Sequence, residues 1–386
     1  MIWRSILHGP LYQHIEEFAL WVCGEGLYMR TTDPVARYDL RGEVRWPHAE
    51  PSGHFRSDMT NWSVAIFTSR EDIATLSATV NAMLIASACA EQVTVDVVVN
   101  GNRELADQAV VLANQRHAAS GNVRMRIWYV ALGDKSHAWN EYVHRIWPES
   151  ELAFFVDGYA QVFPDAFSLI SAAMKAAPHA MAGTGVPSMG FSARAMASRM
   201  RREGGIYGNL YAVRGDVMQI LRSRGFHLLL GMYRTDSLLN ASICFGLDPE
   251  RFHWDSSRIV VERRASWSFR PLRFWRPADI RSYLKRILRQ AQGEIITEAI
   301  KQHLAVKRKP PETLPITVAE LVQTWLAALP RRAHTLLRLH PLYRIAIRCL
   351  QEPRDWSLAA KAPVLMAASA LPAEQSVRHV GPGATG

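Results

Sequence analysis

Short apolar runs alternate with amphipathic stretches from residue 62 onward, and this rhythm predicts strands separated by helices. Four of the runs are rich in β-branched and aromatic residues and have the length of buried strands. Between them, apolar residues recur at three- and four-residue spacing, as on one face of a helix. The predicted strands cover residues 63–67, 93–99, 123–130 and 152–156, and the predicted helices cover residues 72–90, 104–118, 136–146 and 164–177.

This alternation predicts an α/β fold with a mostly parallel central sheet and helices on both faces. In such sheets ligands bind beyond the carboxyl ends of the strands, so the residues that follow each strand are the first candidates for a site. Farther along, a glycine-rich stretch at residues 205–215 resembles a strand, and residues 228–245 read as a loop that becomes a helix. A longer helix is predicted around residues 280–304.

Breakers and shifts in composition divide the chain into four segments. Glycine and proline interrupt residues 1–60, which we interpret as an N-terminal extension. The α/β domain is predicted to cover residues 61–305 and a basic region of amphipathic helices residues 306–371. Residues 372–386 have the composition of a disordered tail.

Charge is distributed unevenly along this chain of 386 residues, which has the 48% hydrophobic content of a globular protein. Of the net charge of +10, residues 258–386 carry 22 Lys and Arg against 9 Asp and Glu, whereas the residues before them carry 23 against 26. A near-neutral body with a basic end predicts an anionic partner at that end. An anionic membrane surface is one candidate, and the lack of a nucleic-acid-binding motif argues against DNA or RNA.

The basic end contains two amphipathic stretches, at residues 317–329 and 336–350, and the first has Trp325 in its apolar stripe. Such a stripe either lies in a membrane interface or packs on the enzyme while the arginines face water, and the pattern leaves both open. No apolar run has the length of a membrane-spanning helix and no signal peptide opens the chain. The four cysteines form no C-x-x-C pair, which fits a reducing compartment. We therefore expect a cytoplasmic protein, with the inner face of the membrane as a candidate docking surface.

Two features at the predicted strand ends carry candidate chemistry. Asp157 follows a buried apolar strand, where a carboxylate can hold Mg²⁺ or Mn²⁺ against a diphosphate or can belong to an Asp-Gly turn. Lys135 lies in a Gly-Asp-Lys segment that opens a helix, where a cation and backbone amides can approach phosphate. Ordinary helix capping explains the same segment. The individual residues leave these alternatives open.

Taken together, the motifs resemble those of family 2 glycosyltransferases, which have the GT-A fold. The first strand is followed by Thr-Ser-Arg-Glu, the second ends in Asn-Gly-Asn, and Gly-x-Lys-x-x-Ala-x-Asn at residues 133–140 precedes the strand before Asp157. Thr-Asp-Ser-Leu-Leu at residues 235–239 resembles the Glu-Asp-x-x-Leu helix start of that family. The resemblance covers residues 62–300.

The resemblance implies transfer of a single sugar from a nucleotide-sugar donor to a hydroxyl acceptor with inversion, in the synthesis of a surface glycan or glycolipid. The acceptor would be a glycan or a lipid-linked molecule. Asp236 would be the general base, and Asp157 would bind Mg²⁺ or Mn²⁺. The residues expected at the donor are Thr68, Ser69, Glu71, Asn100, Asn102, Lys135, Asn140, Arg286 and Arg289.

The chain departs from the family pattern at three places. Tyr159 stands where the metal motif has a second acid, Thr235 stands where the base motif has Glu, and asparagines replace the acids after the second strand. The alternative hypothesis is therefore a non-catalytic protein of this fold that binds a partner or a membrane through its basic end.

Overall fold

A computed structural model describes residues 61–116, 122–188, 205–268, 277–329 and 340–369, with a few further positions between 197 and 202. The predicted N-terminal extension and the predicted tail lie outside these residues. Nine strands in the described part of the chain form one sheet. They are β1 (Asn61–Thr68), β2 (Gln92–Asn100), β3 (Val123–Val130), β4 (Leu152–Asp157), β5 (Gln161–Val162), β6 (Ala182–Pro187), β7 (Leu210–Arg214), β8 (Ile259–Ser268) and β9 (Val364–Ala368).

The sheet confirms the predicted α/β class and its parallel centre. Its order is β5-β8-β6-β7-β4-β1-β2-β3-β9, and β4, β1, β2 and β3 are all parallel to their neighbours within this group. Antiparallel strands flank the parallel group, because β7 pairs with β4 and β9 pairs with β3. Strands β5, β6, β8 and β9 were not predicted: β5 has only two residues, β6 contains two glycines and β8 contains three consecutive charged residues.

Helices cover both faces of the sheet, as predicted. Residues of β1 alternate between the two faces, with Ala65 and Phe67 in one apolar cluster and Val64 and Ile66 in the other. A parallel strand that is buried on both faces reads as a continuous apolar run, which is why these strands were visible in the sequence. The longer helices are α1 (Ile73–Ala86), α2 (Arg103–Arg116), α3 (Lys135–Glu141), α4 (Ala166–Ala176), α5 (Gly215–Ser223), α6 (Thr235–Cys244), α7 (Pro277–Lys301), α8 (Val318–Ala327) and α9 (Pro341–Gln351).

The C-terminal helices pack on the α/β core. The apolar stripe of α8, which includes Val322 and Trp325, is buried in the same cluster as α6 and α7. The apolar stripe of α8 therefore packs inside the protein. Of the two interpretations that its sequence left open, this is packing on the enzyme and not insertion into a membrane interface. On α9, Leu350 is buried while Arg344 and Arg348 are exposed. Among the helices that the structure describes, none combines the length and the apolarity needed to cross a bilayer.

Candidate active site

The strand ends that the sequence singled out meet at one edge of the sheet. Thr68 and Asn100 are the last residues of β1 and β2, and Asp157 is the last residue of β4. The register pairs Thr68 with Val99 and Asp157 with Phe67, so these ends lie level with one another. Parallel strands place all their carboxyl ends at a common edge, and the candidate residues are gathered there for that reason.

Two glycines allow the loops at this edge to approach closely. Gly101 has a φ of 70°, and a Cβ atom there would lie 2.4 Å from Cα of Gly133. A Cβ atom at Gly158 would lie 2.6 Å from Cβ of Thr68. The loops after β2 and β3, and the ends of β1 and β4, are therefore packed against each other at backbone distance.

Glu71 holds the loop that follows β1. Its Oε2 atom accepts hydrogen bonds from Oγ1 of Thr68 at 2.7 Å, from N of Ser69 at 2.8 Å and from N of Arg70 at 3.0 Å. A carboxylate that collects neighbouring backbone donors determines the conformation of its own loop. Glu71 therefore shapes the edge where the donor was expected, and its contact with a donor stays a prediction.

The asparagines at the end of β2 and directly after it also form hydrogen bonds with the backbone of neighbouring loops. Oδ1 of Asn102 accepts from N of Leu105 at 3.0 Å, and its Nδ2 donates to O of Ser69 at 2.9 Å. The amide orientation of Asn100 that satisfies its neighbours donates to O of Thr68 at 3.0 Å and accepts from N of Asp134 at 3.3 Å. Both side chains join the loops of adjacent strands, which is a role that the sequence pattern did not reveal.

Helix α3 begins at Lys135 and is capped by Asp134. One carboxylate oxygen of Asp134 accepts from N of His137 at 2.9 Å, and the other accepts from N of Gly231 at 3.0 Å. Burial raises the pKa of Asp134. The capping interpretation of this segment is correct for Asp134, and it leaves the side chain of Lys135 to extend into the site.

Asn140 connects α3 to the loop at residues 226–234, which leads into α6. Its Nδ2 donates to O of Leu228 at 2.9 Å, and its Oδ1 accepts from N of Leu228 at 2.8 Å. Nε2 of His144 lies 2.7 Å from O of Phe226 and adds a third link. Both amide atoms of Asn140 are thus engaged with buried backbone. The geometry supports positioning of the loop by Asn140, and its contact with a donor stays a prediction.

Lys135, Asp157 and Tyr159 form a linked group at the centre of the edge. Nζ of Lys135 makes an ion pair with Oδ1 of Asp157, and the hydroxyl of Tyr159 donates to Oδ2 of the same carboxylate at 3.0 Å. The ring of Tyr159 is partly exposed, but burial around its hydroxyl and the adjacent carboxylate raise the pKa of that hydroxyl well above its usual value, so it remains a donor. Both oxygens of the nearly buried Asp157 are therefore bonded within the protein.

Asp236, in the first turn of α6, lies beside this group. Its Oδ2 accepts from N of Gly208 at 3.1 Å. A methyl group at Gly208 would lie 3.7 Å from Nζ of Lys135 and 3.8 Å from Oδ2 of Asp236, so the two side chains converge on one point. Burial raises the pKa of Asp236, the charge of Asp157 adds to the rise, and Lys135 and Arg234 oppose it.

Cationic and aromatic side chains continue the site toward α7. Arg234 hydrogen-bonds to Gln290, and the guanidinium of Arg289 lies 5.5 Å from the ring centre of the partly exposed Tyr233. Arg286 belongs to the same helix. Arg234 and Tyr233 were missed in the sequence, although a cation and an aromatic residue directly before a candidate base are a signal that could have identified them.

The described residues do not form an obvious metal centre. Within the ranges given above, no group of three or more His, Cys, Asp or Glu side chains is arranged to hold a metal ion. What the geometry offers is one ammonium group between two carboxylates, with a phenol hydroxyl at one of them. These groups can neutralise an anion, accept a proton and orient a polar ligand.

Comparison with known proteins gives matches only among solved structures. No protein-family model matches the chain, and no curated protein matches it significantly. The mannosyltransferase PcManGT from Pyrobaculum calidifontis, solved with GDP-Man and Mn²⁺, is 16% identical, covers 78% of this chain and 85% of its own, and has a TM-score of 0.43.

Two further matches are similar in extent. TarS residues 1–349 from S. aureus, solved with UDP-GlcNAc, is 13% identical over 76% of this chain and 88% of its own, with a TM-score of 0.40. Glucosyl-3-phosphoglycerate synthase from Mycobacterium tuberculosis, solved with Mn²⁺, UDP-glucose and phosphoglyceric acid, is 13% identical over 65% and 81%, with a TM-score of 0.41. At these values the similarities carry no argument about activity.

Proposed function

We propose that this chain transfers a single sugar from a nucleotide-diphospho-sugar donor to a hydroxyl acceptor and inverts the configuration at the anomeric carbon. The observation that carries the proposal is the convergence of Lys135, Asp157 and Asp236 beside Gly208, at the carboxyl edge of the parallel strands. This group combines a cation for an anionic leaving group with a carboxylate for a hydroxyl nucleophile.

Asp236 is the proposed general base. As the acceptor oxygen attacks the anomeric carbon, the bond from that carbon to the diphosphate oxygen breaks and the acceptor proton passes to the carboxylate. Attack on the side opposite the leaving group inverts the configuration. Burial raises the pKa of Asp236, which makes it a stronger base than an exposed aspartate. A base within hydrogen-bond reach contributes about 10²–10⁴ in rate.

The cations of the site are the proposed ligands of the diphosphate. Lys135 lies close to both carboxylates, and Arg289 on α7 adds positive charge beside Tyr233. Arg286, on the same helix, is proposed as a further ligand of the diphosphate from the sequence resemblance alone. A preorganised cation stabilises the charge that develops on the departing nucleoside diphosphate.

The loops after β1 and β2 are the proposed contact surface for the nucleoside. Thr68, Ser69 and Asn100 lie there, and the hydrogen bonds of Glu71 and Asn102 hold the loops in one conformation. Preorganised loops reduce the conformational entropy that donor binding has to overcome.

The proposed acceptor is a glycan or a lipid-linked sugar, used in the synthesis of a surface glycan or glycolipid. The rings of Tyr159 and Tyr233 are partly exposed beside the reactive group and offer faces on which a sugar ring can stack. A cytoplasmic location, with α9 toward the inner face of the membrane, fits the exposed Arg344 and Arg348.

The test is a donor panel with the full chain. Hydrolysis or transfer would be measured with UDP-, GDP- and dTDP-sugars, each in EDTA and in Mn²⁺, with donor-induced thermal shift as a second readout. We expect one donor to be turned over and to raise the melting temperature. If no donor is turned over and none shifts the melting temperature, the proposal is refuted.

Partner binding without catalysis is the second candidate. The observation that favours it is that both oxygens of Asp157 are already bonded to Lys135 and Tyr159. Flotation with anionic vesicles, comparing the full chain with Arg344→Gln/Arg348→Gln, measures a membrane contribution. A donor that shifts the melting temperature without turnover, together with flotation that the double variant loses, would favour this candidate over transfer.

A further inference from the structure

The surroundings of Asp157 are unfavourable for a divalent cation. Mg²⁺ is usually held by one or two carboxylates together with several waters and the phosphates of a substrate, so the charges around a single carboxylate decide whether the ion can bind there. In the residues that the structure describes, Asp157 is not part of any group of three potential metal ligands. Tyr159, two residues later, contributes a hydroxyl that donates to Asp157 in place of a second carboxylate.

Each oxygen of Asp157 also already has a donor. Oδ1 is paired with the ammonium of Lys135, and Oδ2 accepts a hydrogen bond from the hydroxyl of Tyr159. A divalent cation at this carboxylate would lie against the ammonium of Lys135 or displace it, and in either case the ammonium would remain close enough to repel the cation. Like charges at contact distance in a partly buried site are strongly unfavourable. The residues present therefore do not fit a divalent metal.

We propose that this chain binds and activates its donor without a divalent cation, because the ammonium of Lys135 occupies the position where a metal would act. Asp157 and Tyr159 hold that ammonium at the carboxyl edge, and the convergence on Gly208 places it beside Asp236. The inference rests on the proposed transfer reaction, and it assigns to Lys135 the neutralisation of the charge on the departing diphosphate.

The chemistry balances without a metal. When the bond between the anomeric carbon and the diphosphate oxygen breaks, its electron pair stays on the diphosphate, next to the Lys135 ammonium. The acceptor proton is taken by Asp236. Charge-assisted hydrogen bonds from an ammonium to phosphate oxygens supply the stabilisation.

The test measures the binding of nucleoside diphosphates to the full chain by calorimetry. UDP, GDP, dTDP and ADP would be titrated in EDTA, in Mg²⁺ and in Mn²⁺. We expect one of them to bind with dissociation constants that agree within about threefold in all three conditions, a difference under 1 kcal/mol. Manganese paramagnetic resonance, with the protein but without nucleotide, should show no loss of the free-ion signal.

Substitutions then assign the effect to Lys135. Lys135→Met removes the charge and keeps the length, so affinity in EDTA should fall by about 10–100-fold, as for loss of a charge-assisted contact. Lys135→Arg should retain more of the affinity than Lys135→Met. Lys175→Met, at an exposed lysine in the last turn of α4, is the matched control and should bind as the parent chain does.

The outcomes separate this inference from the proposed function. Binding that requires Mg²⁺ or Mn²⁺ would overturn the metal-free inference and leave sugar transfer standing. An unchanged affinity in Lys135→Met would overturn the role given to Lys135. If no nucleoside diphosphate binds in any condition, the proposed function and this inference fall together.

Discussion

The loops after β1 and β2 and the group formed by Lys135, Asp157 and Asp236 share one sheet edge but use polar side chains in different ways. In the loops, Glu71 and Asn102 bond to nearby backbone atoms and determine local conformation. In the reactive group, charged side chains from distant parts of the chain bond to one another. The contrast teaches that position at a strand end is not enough to identify a catalytic residue, because the bonding partners decide whether a polar group shapes a loop or carries chemistry.

The largest effect is expected from Asp236→Asn. Loss of the base should lower kcat by about 10²–10⁴ while the fold is retained, because Asn can still accept the hydrogen bond from Gly208. Steady-state kinetics with the donor identified in the panel measures this. Asp165→Asn, at an exposed aspartate, is the control, and equal rates in the two variants would remove Asp236 from the mechanism.

The raised pKa of Asp236 makes a prediction about pH. Transfer needs the deprotonated carboxylate, so activity should rise with pH. The midpoint of that rise should lie above the pKa of about 4 that an ordinary aspartate shows. The pKa of Asp236 is higher in the folded protein than in the unfolded chain, so this group stabilises the fold at pH values below the unfolded-state pKa. That stabilisation is lost as the pH rises through the folded-state pKa. Asp236→Asn should therefore melt at a higher temperature than the parent chain at neutral pH, and this gain should vanish in acid. A lower melting temperature at neutral pH would show that the charge is net stabilising.

Gly208→Ala tests the reactive group by filling space between its side chains, without changing any charge. The added methyl would sit at ordinary contact distance from Lys135 and Asp236, so the fold should tolerate it. It would occupy the point on which the two side chains converge, and displacement of a substrate by about 1 Å can cost up to about 10²-fold in rate. Kinetics and thermal melting would be measured together. Full activity would mean that the substrate does not approach Gly208.

Asn140→Ala tests the link between α3 and the loop before α6. The substitution leaves N–H and C=O of the buried Leu228 without their partner, which should lower the free energy of unfolding by about 1–3 kcal/mol. Denaturant unfolding measures this, with Gln108→Ala on the exposed face of α2 as the control. A loss of donor affinity with unchanged stability would instead support the donor contact predicted from the sequence.

The smallest effect is expected from Glu71→Gln in the loop after β1. The amide keeps one oxygen that can accept the backbone hydrogen bonds, so stability should fall by about 1 kcal/mol or less. Donor affinity, measured by calorimetry, should fall less than about tenfold, which corresponds to 1.4 kcal/mol. A larger loss of affinity would show that the carboxylate itself contacts the donor, and the contrast between the two regions would then weaken.

Much of the fold could be predicted because its central strands are buried on both faces. Apolar runs identified β1, β2 and β4, the apolar positions of Val123–Val130 identified β3, and their alternation with helices predicted a mostly parallel sheet with Asp157 at its carboxyl edge. Among the flanking strands, β6 and β8 were not predicted, because β6 contains two glycines and β8 is interrupted by three consecutive charged residues, at positions 262–264. Their places in the sheet depend on pairing with distant strands.

The amphipathic C-terminal stretch shows a different limit. Its periodicity predicted a helix, and the structure has α8 there, begun by a capping box between Thr317 and Glu320. The pattern could not say what covers the apolar stripe, since a membrane and a protein core select the same residues. Packing against α6 and α7 decided this.

By itself, the sequence determined the elements whose signals are local: the buried strands, the helix starts and the polar residues that follow the strands. Tertiary structure alone decided which of those residues meet. Lys135, Asp157 and Asp236 are brought together by strand pairing and by the bonds of Asn140 to Leu228, and Tyr159 acquires its role through the carboxylate beside it. The physical reason is that periodicity and capping act within a few residues, whereas the electrostatics of a site depend on distances between atoms that are far apart along the chain.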